Sequence, residues 1–138
     1  MKNKTIAALL LSFVSLFASS AFAAEKETFS LIHVKDLSTL LSDKAAKVAV
    51  YDANNAETRK HDGVIPGAKL LTDYKKYDVA KVLPSDKDTK LVFYCANTKC
   101  MASHEAAKRA TEAGYKDVAV MSDGIQGWVK AGQPTQKL

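Results

Sequence analysis

The chain predicts an α/β fold: a central, mainly parallel sheet of four to five strands with helices on both faces, three layers in all. Two observations carry this. Short apolar runs bounded by turn or charged residues recur along the chain, and segments with helical spacing lie between them. Apolar runs without polar alternation belong to strands buried on both faces, which is what a parallel sheet covered by crossover helices requires.

Taken in order, residues 29–32 read as a short edge strand. Leu37, Leu40 and Leu41 share one face of a helix over Val34–Ser42. Val48-Ala49-Val50-Tyr51 and Ala68-Lys69-Leu70-Leu71 read as buried strands, and Leu91-Val92-Phe93-Tyr94 as a third. In the helix after it, Ala102, Ala106, Ala110 and Ala113 recur about once per turn, a stripe suited to close packing on the sheet. Glu105, Lys108, Arg109 and Glu112 face outward in salt-bridging register, and Gly114 supplies the stop. Val118-Ala119-Val120-Met121 is the last strand, and a final helix covers Gly124–Lys130.

The first residues stand apart from this pattern. Lys2 and Lys4 precede an apolar stretch over residues 6–18, and Ala21-Phe22-Ala23 is a small-residue cleavage pattern. The stretch falls short of the roughly 20 apolar residues that span a membrane. Residues 1–23 are therefore read as a signal peptide, and 24–138 as one exported domain without a membrane span, most simply periplasmic. Removing the leader lowers the formal charge from +5 to +3. So mild a balance, alternating in sign along the chain, argues against a nucleic-acid surface. No cofactor motif appears, and a monomer is expected.

The two cysteines, Cys95 and Cys100, lie five positions apart. A bridge across so short a loop removes little chain entropy, which weighs against a purely stabilising disulfide. Cys95 ends the apolar run at 91–94 and a helix follows within a few residues. The carboxyl end of a buried strand and the unpaired N–H groups of a helix start both point at the loop between them, so the thiol there is set up as a thiolate. Asp52 likewise ends the strand at 48–51, and ligands of open parallel sheets bind outside those strand ends.

These residues resemble a known family. Val50-Tyr51-Asp52, Glu57 and Gly63-Val64-Ile65-Pro66-Gly67-Ala68 are similar to the opening signature of rhodanese-like domains. Leu91-Val92-Phe93-Tyr94-Cys95, then Ser103, Ala106 and Ala107, then Gly114-Tyr115-Lys116-Asp117-Val118 resemble the family's active-site strand, loop and helix. Asp123-Gly124-Ile125-Gln126-Gly127-Trp128 resembles its closing element. The resemblance spans residues 29–128. It implies a rhodanese-like three-layer fold and a sulfurtransferase in which Cys95 carries a persulfide. A small sulfur donor would supply the sulfur, and a thiol or cyanide-like molecule would accept it.

The chain departs from the family pattern in its active loop. The usual Cys-x-x-Gly-x-Arg-Ser places Ser six positions after Cys; here Ser103 is eight after Cys95, with neither the Gly nor the Arg, and with Cys100 inside. Val64 stands where His is common, and Asn54 where Arg is common. A longer loop means a wider pocket, and without Arg the fork that grips an oxyanion is missing. This Cys-x4-Cys loop makes thiosulfate a doubtful donor.

The expected roles follow. Ala96, Asn97, Thr98, Lys99, Met101 and Ala102 form the substrate-binding loop, chiefly through backbone N–H groups. Cys100 either resolves the persulfide, protects Cys95 from over-oxidation, or is incidental. Lys99 attracts an anionic donor or is merely solvated. Ser103 is the expected N-cap of the helix. His104 is read as a surface residue, with proton donation or metal binding as the sharper alternatives. Asp52 is expected to hold neighbouring backbone; His33 and His61 have no partner by spacing, and Tyr51 and Trp128 belong to the core. No metal site is assigned.

Three other functions remain. Cys95, Cys100, Met101 and His104 are soft ligands in one loop, as a copper(I)-binding or redox module would have. A phosphatase would need Arg six positions after the cysteine, where Met101 stands. A catalytically silent rhodanese fold would serve protein contacts.

Overall fold

The structure, a computed structural model, describes residues 28–138; the leader expected at 1–23 lies outside the described residues. The elements run β1 (Ser30–Ile32), α1 (Val34–Ser42), β2 (Val48–Asp52), α2 (Ala56–Asp62), β3 (Lys69–Leu70), α3 (Val79–Val82), β4 (Lys90–Tyr94), α4 (Ala102–Glu112), β5 (Val118–Met121) and α5 (Gly124–Lys130). All five strands are parallel, in the order β1-β5-β4-β2-β3. The α/β fold with helices flanking a parallel sheet is thus as the sequence predicts.

Period-two alternation divides the sheet's side chains between two cores. Tyr51, Leu91, Phe93, Cys95 and Val120 face one layer, where Ala106, Ala107 and Ala110 of α4 pack against them. Val50, Val92, Tyr94, Ala119 and Met121 face the other, against Leu37 of α1 and Ile125 and Trp128 of α5. The alanine stripe of α4 does what close helix-to-sheet packing needs. Cys95 is in phase with Leu91 and Phe93, so it inherits their face and looks toward α4.

The strand order places a switch point between β2 and β4. From β2 the chain turns outward through α2 to β3; from β4 it turns the opposite way through α4 to β5. Two loops leaving adjacent strands in opposite directions open a crevice at the carboxyl ends, where ligands of such sheets bind.

Three local expectations are corrected. The segment at 68–71 is not a buried strand: only Lys69 and Leu70 pair, on the sheet edge, and both are exposed. Helix α2 was not foreseen because none of its residues is buried, so no apolar stripe marks it. Its start signal is local instead: the Asn55 side chain accepts the Thr58 N–H at 2.9 Å. Arg109 does not face outward. Its Nε donates to the Tyr77 carbonyl at 2.9 Å and its guanidinium lies over the Tyr77 ring.

Candidate active site

Cys95 leaves the end of β4 and is 1% exposed. Its sulfur is joined to Cys100 in a disulfide, with the Cα atoms 6.2 Å apart. In this state the sulfur is not a free thiolate. The Cys100 carbonyl oxygen and the Ser103 hydroxyl each lie 3.2 Å from Cys95 Sγ, so its surroundings are not hydrocarbon alone.

Ser103 is therefore not the N-cap. Helix α4 begins at Ala102 with Met101 as its cap residue and no capping side chain. Starting two residues earlier carries Ser103 into the first turn, where it is buried and turned to the sulfur. His104 is not a surface residue either. It is half-buried, its ring meets Phe29 edge-on at 5.6 Å, and its Nδ1 is buried without a partner. Among the described residues, no group of three or more His, Cys, Asp or Glu is arranged to hold a metal ion.

The loop after Cys95 is anchored at both ends. The Asn97 side chain accepts the Lys99 N–H at 3.0 Å, and its carbonyl accepts the Cys100 N–H at 3.1 Å. Two loop amides are thus committed to Asn97 and unavailable to a ligand. On the other side the start of α5 grips the loop: Ile125 N–H donates to the Cys95 carbonyl at 2.8 Å and Gln126 N–H to the Ala96 carbonyl at 3.0 Å. Thr98 and Lys99 are exposed, and Met101 is 54% exposed.

The approach of α5 depends on Gly124. Its φ is +67°, and a Cβ there would lie 2.5 Å from the Ala96 carbonyl and the Asn97 nitrogen. Only glycine permits so close a meeting of two backbones.

Asp52 sits fully buried at the end of β2 and holds four pieces of structure together. Its Oδ1 accepts the Asn54 N–H at 2.7 Å and Arg59 Nε at 3.1 Å; its Oδ2 accepts the Tyr94 hydroxyl at 2.7 Å. Arg59 Nη2 continues to the carbonyls of Asp52 and Leu71 at 3.0 and 2.9 Å. The expectation that Asp52 fixes backbone is met. Burial, with the Asp52 charge adding to it, pushes the Tyr94 phenol far above its ordinary value, so Tyr94 is a committed donor.

Sequence reasoning missed Arg59 and Tyr94: Tyr94 meets Asp52 only once β2 and β4 pair, and Arg59 meets the Asp52 and Leu71 carbonyls only once α2 folds against the ends of β2 and β3. The two histidines without partners by spacing also gain them: His33 Nδ1 lies 3.2 Å from Asp123, and His61 Nδ1 lies 2.6 Å from Asp62 Oδ1.

Beside the disulfide is a cavity of about 630 Å³. It is built by residues 53–55 after β2, residues 71–76 after β3, and Ala96, Cys100 and Ala102 of the active loop. Cys100 lines it and is partly exposed, whereas Cys95 lies behind. The expected site residues thus divide: Cys100, Ala96 and Ala102 face the cavity, Asp52 and Ser103 support it from within, and His104 turns to Phe29.

No curated protein matches the chain. Among solved structures, a protein of unknown function from Rhodopseudomonas palustris, described as a possible tyrosine phosphatase, is 28% identical with a TM-score of 0.64, over 79% of this chain and 86% of that one. The polysulfide-sulfur transferase homodimer of Wolinella succinogenes is 20% identical with a TM-score of 0.67, over 80% of each chain. A thiosulfate sulfurtransferase of Pseudomonas aeruginosa is 23% identical with a TM-score of 0.61, over 79% of this chain but 20% of that one. At these last two identities the likeness shows the fold. The model of the rhodanese-like domain matches residues 33–131, most of the chain, and the protein therefore belongs to the family of rhodanese-like domains.

Proposed function

We propose that the chain is an exported, periplasmic sulfurtransferase that moves sulfane sulfur through a persulfide on Cys95, with Cys100 as the resolving thiol. The observation that carries the reading is the position of Cys95: at the carboxyl end of β4, under the first turn of α4, with Cys100 within bonding reach. Family membership and solved neighbours that are sulfurtransferases support it. The leader pattern at 1–23 supports export, and the domain would act as a monomer.

The cycle needs a thiol reductant to open the Cys95–Cys100 pair, oxidising two thiols to a disulfide as both cysteines gain hydrogen. The Cys95 thiolate then attacks the outer sulfur of the donor. The donor's sulfur–sulfur bond breaks, its remainder leaves with the electron pair, and Cys95 holds the persulfide. The sulfur passes either to an acceptor thiolate or into resolution: Cys100 attacks Cys95 Sγ, hydrosulfide departs, and the disulfide returns. The Ser103 hydroxyl steadies the Cys95 thiolate, and the helix start favours the same charge.

A phosphatase reading finds no support in the loop, since Met101 occupies the place of the oxyanion-clamping Arg and Arg59 is engaged with Asp52. Intact-mass analysis tests the proposal. After reduction and exposure to polysulfide, thiosulfate or glutathione persulfide, Cys100→Ser accumulates one added sulfur on Cys95. The unsubstituted protein releases sulfide and ends as the disulfide, and Cys95→Ser takes up nothing. Absence of the adduct in Cys100→Ser with all three donors refutes the reading.

A further inference from the structure

The Cys95–Cys100 bridge presents its two sulfur-bearing residues unequally. Cys95 is 1% exposed. Cys100 is partly exposed and lines the cavity of about 630 Å³ beside the bridge. A thiolate can attack either sulfur of a disulfide, and access is one of the factors that decide which. Here the open route leads to Cys100.

A second asymmetry concerns the leaving group. Attack on one sulfur expels the other as a thiolate, and the more stable thiolate leaves faster. The Ser103 hydroxyl lies 3.2 Å from Cys95 Sγ and can turn its proton toward a charge there. Ser103 stands in the first turn of α4, an eleven-residue helix whose start has no capping side chain, so unpaired N–H groups favour the same charge. The Cys100 carbonyl oxygen, also at 3.2 Å, opposes that charge, but it belongs to the residue that the exchange sets loose.

The cavity wall suits an anionic attacker. Lys75 and Lys76 are exposed on it. Asp73 is there too, and its Oδ1 already accepts the backbone N–H groups of both lysines, at 2.8 and 3.1 Å. The balance on the wall is positive, which draws a thiolate in.

We infer that the oxidised pair is itself a reactive state with a fixed polarity: an external thiol enters at Cys100, and Cys95 is the sulfur released. This thiol–disulfide exchange is an activity beside sulfur transfer and does not rest on it. In the first step the thiolate R–S⁻ attacks Cys100 Sγ. The Cys95–Cys100 bond breaks, its electron pair goes to Cys95, and Cys100 holds R–S as a mixed disulfide. A second R–S⁻ attacks the sulfur of that R group, R–S–S–R forms, and Cys100 is released as a thiolate that takes a proton from water. Two external thiols are oxidised and the pair is reduced. Cys95 is thus freed one step before Cys100.

Glutathione is the probe thiol. The oxidised protein is exposed to it briefly, quenched in acid and alkylated with N-ethylmaleimide. Trypsin cuts after Lys90, Lys99 and Lys108, so residues 91–99 carry Cys95 alone and residues 100–108 carry Cys100 alone. While most of the pair is still closed, glutathione is expected on 100–108 and maleimide on 91–99, about ten to one over the reverse pattern. Glutathione on 91–99, or equal labelling of both, overturns the inference. A pair that oxidised glutathione fails to close, or that glutathione fails to open, overturns it too.

A kinetic arm tests the leaving group separately. Ser103→Ala takes the hydroxyl away from Cys95 Sγ and is expected to slow opening by glutathione about fivefold, because the expelled thiolate loses a hydrogen bond. Were Cys100 the sulfur expelled, the rate would not move; an unmoved or faster rate overturns the polarity. Thermal unfolding of Ser103→Ala separates a lost contact from a lost fold, and the peptide map of the unsubstituted protein decides the polarity in either case. Neither arm uses a sulfur donor. Failure of sulfur transfer therefore leaves the exchange standing, and failure of the exchange leaves the persulfide on Cys95 to its own test.

Discussion

The Tyr94 hydroxyl donates to Asp52 Oδ2 over 2.7 Å, joining two strand ends 42 residues apart in the chain. One residue beyond Tyr94 is Cys95; two beyond Asp52 is Asn54. The pair therefore ties the sulfur-bearing strand end and the backbone turn at Asn54 into one frame, on the sheet face opposite to the sulfur. The same hydroxyl accepts the Ile65 N–H at 3.1 Å, so it serves as donor and acceptor at once.

Substitution of either partner tests that frame. Asp52→Asn leaves the largely buried Arg59 guanidinium without its carboxylate, and the expected loss is about 3–5 kcal/mol in urea unfolding. Tyr94→Phe leaves Asp52 Oδ2 and the Ile65 N–H unpaired and is expected to cost about 1–3 kcal/mol. The double variant costs less than the sum, because the two side chains share one bond.

Ser103→Ala removes the hydroxyl 3.2 Å from Cys95 Sγ. In the reduced protein one hydrogen bond to a charged thiolate is worth about 1.5–3 kcal/mol, or about 1–2 pKa units. The pH profile of iodoacetamide alkylation in a Cys100→Ser background is expected to move upward by that amount. An unmoved profile means the hydroxyl does not stabilise the charge.

Gly124→Ala places a methyl group against the Ala96 carbonyl and strains a residue at φ +67°. The active loop must move to admit it. Such strain costs about 1–3 kcal/mol, and a shift near 1 Å can slow transfer about a hundredfold. Sulfur loading on Cys95 is expected to fall far more than the melting temperature, whereas Gly132→Ala, with open space around its Cβ, leaves loading unchanged.

Alkaline pH is expected to unfold the protein. Burial holds the Tyr51 phenol at about 12, and pushes Tyr77 and Tyr94 upward too. The folded state keeps these protons where the unfolded chain, with its ordinary value of 10.0, gives them up. Stability is therefore fully present below that value and lost above it; for Tyr51 the loss runs from pH 10.0 to about 12. Each such tyrosine contributes a slope of about 1.4 kcal/mol per pH unit. Urea unfolding at about pH 9 and about pH 11 measures the fall, and Tyr94→Phe flattens it by one tyrosine's share.

Much of this protein was legible in local periodicity. Helices α1 and α5 and strand β5 lie where their apolar spacing puts them, and the phase of Leu91 and Phe93 already sends Cys95 to the face of α4. What escaped was whatever has no repeat. Helix α2 has no buried apolar residue, so its existence hangs on the Asn55 cap and on Arg59 reaching Asp52. Ser103 read as a cap because its type suits that role; a two-residue shift in where α4 begins turned it toward the sulfur instead.

Residue order alone determined the alternation of strands and helices, the family resemblance, and which thiol closes the central strand. Chain folding decided the rest: that Cys95 is covered by Cys100, that Asp52 gathers Arg59, Tyr94 and Asn54, and that a cavity opens between the β2 and β4 loops. The division has a physical cause. Helical and strand periods are set by neighbours a few positions away, whereas a buried hydrogen bond or a cavity wall is made by groups that meet only after strand pairing has removed the chain between them.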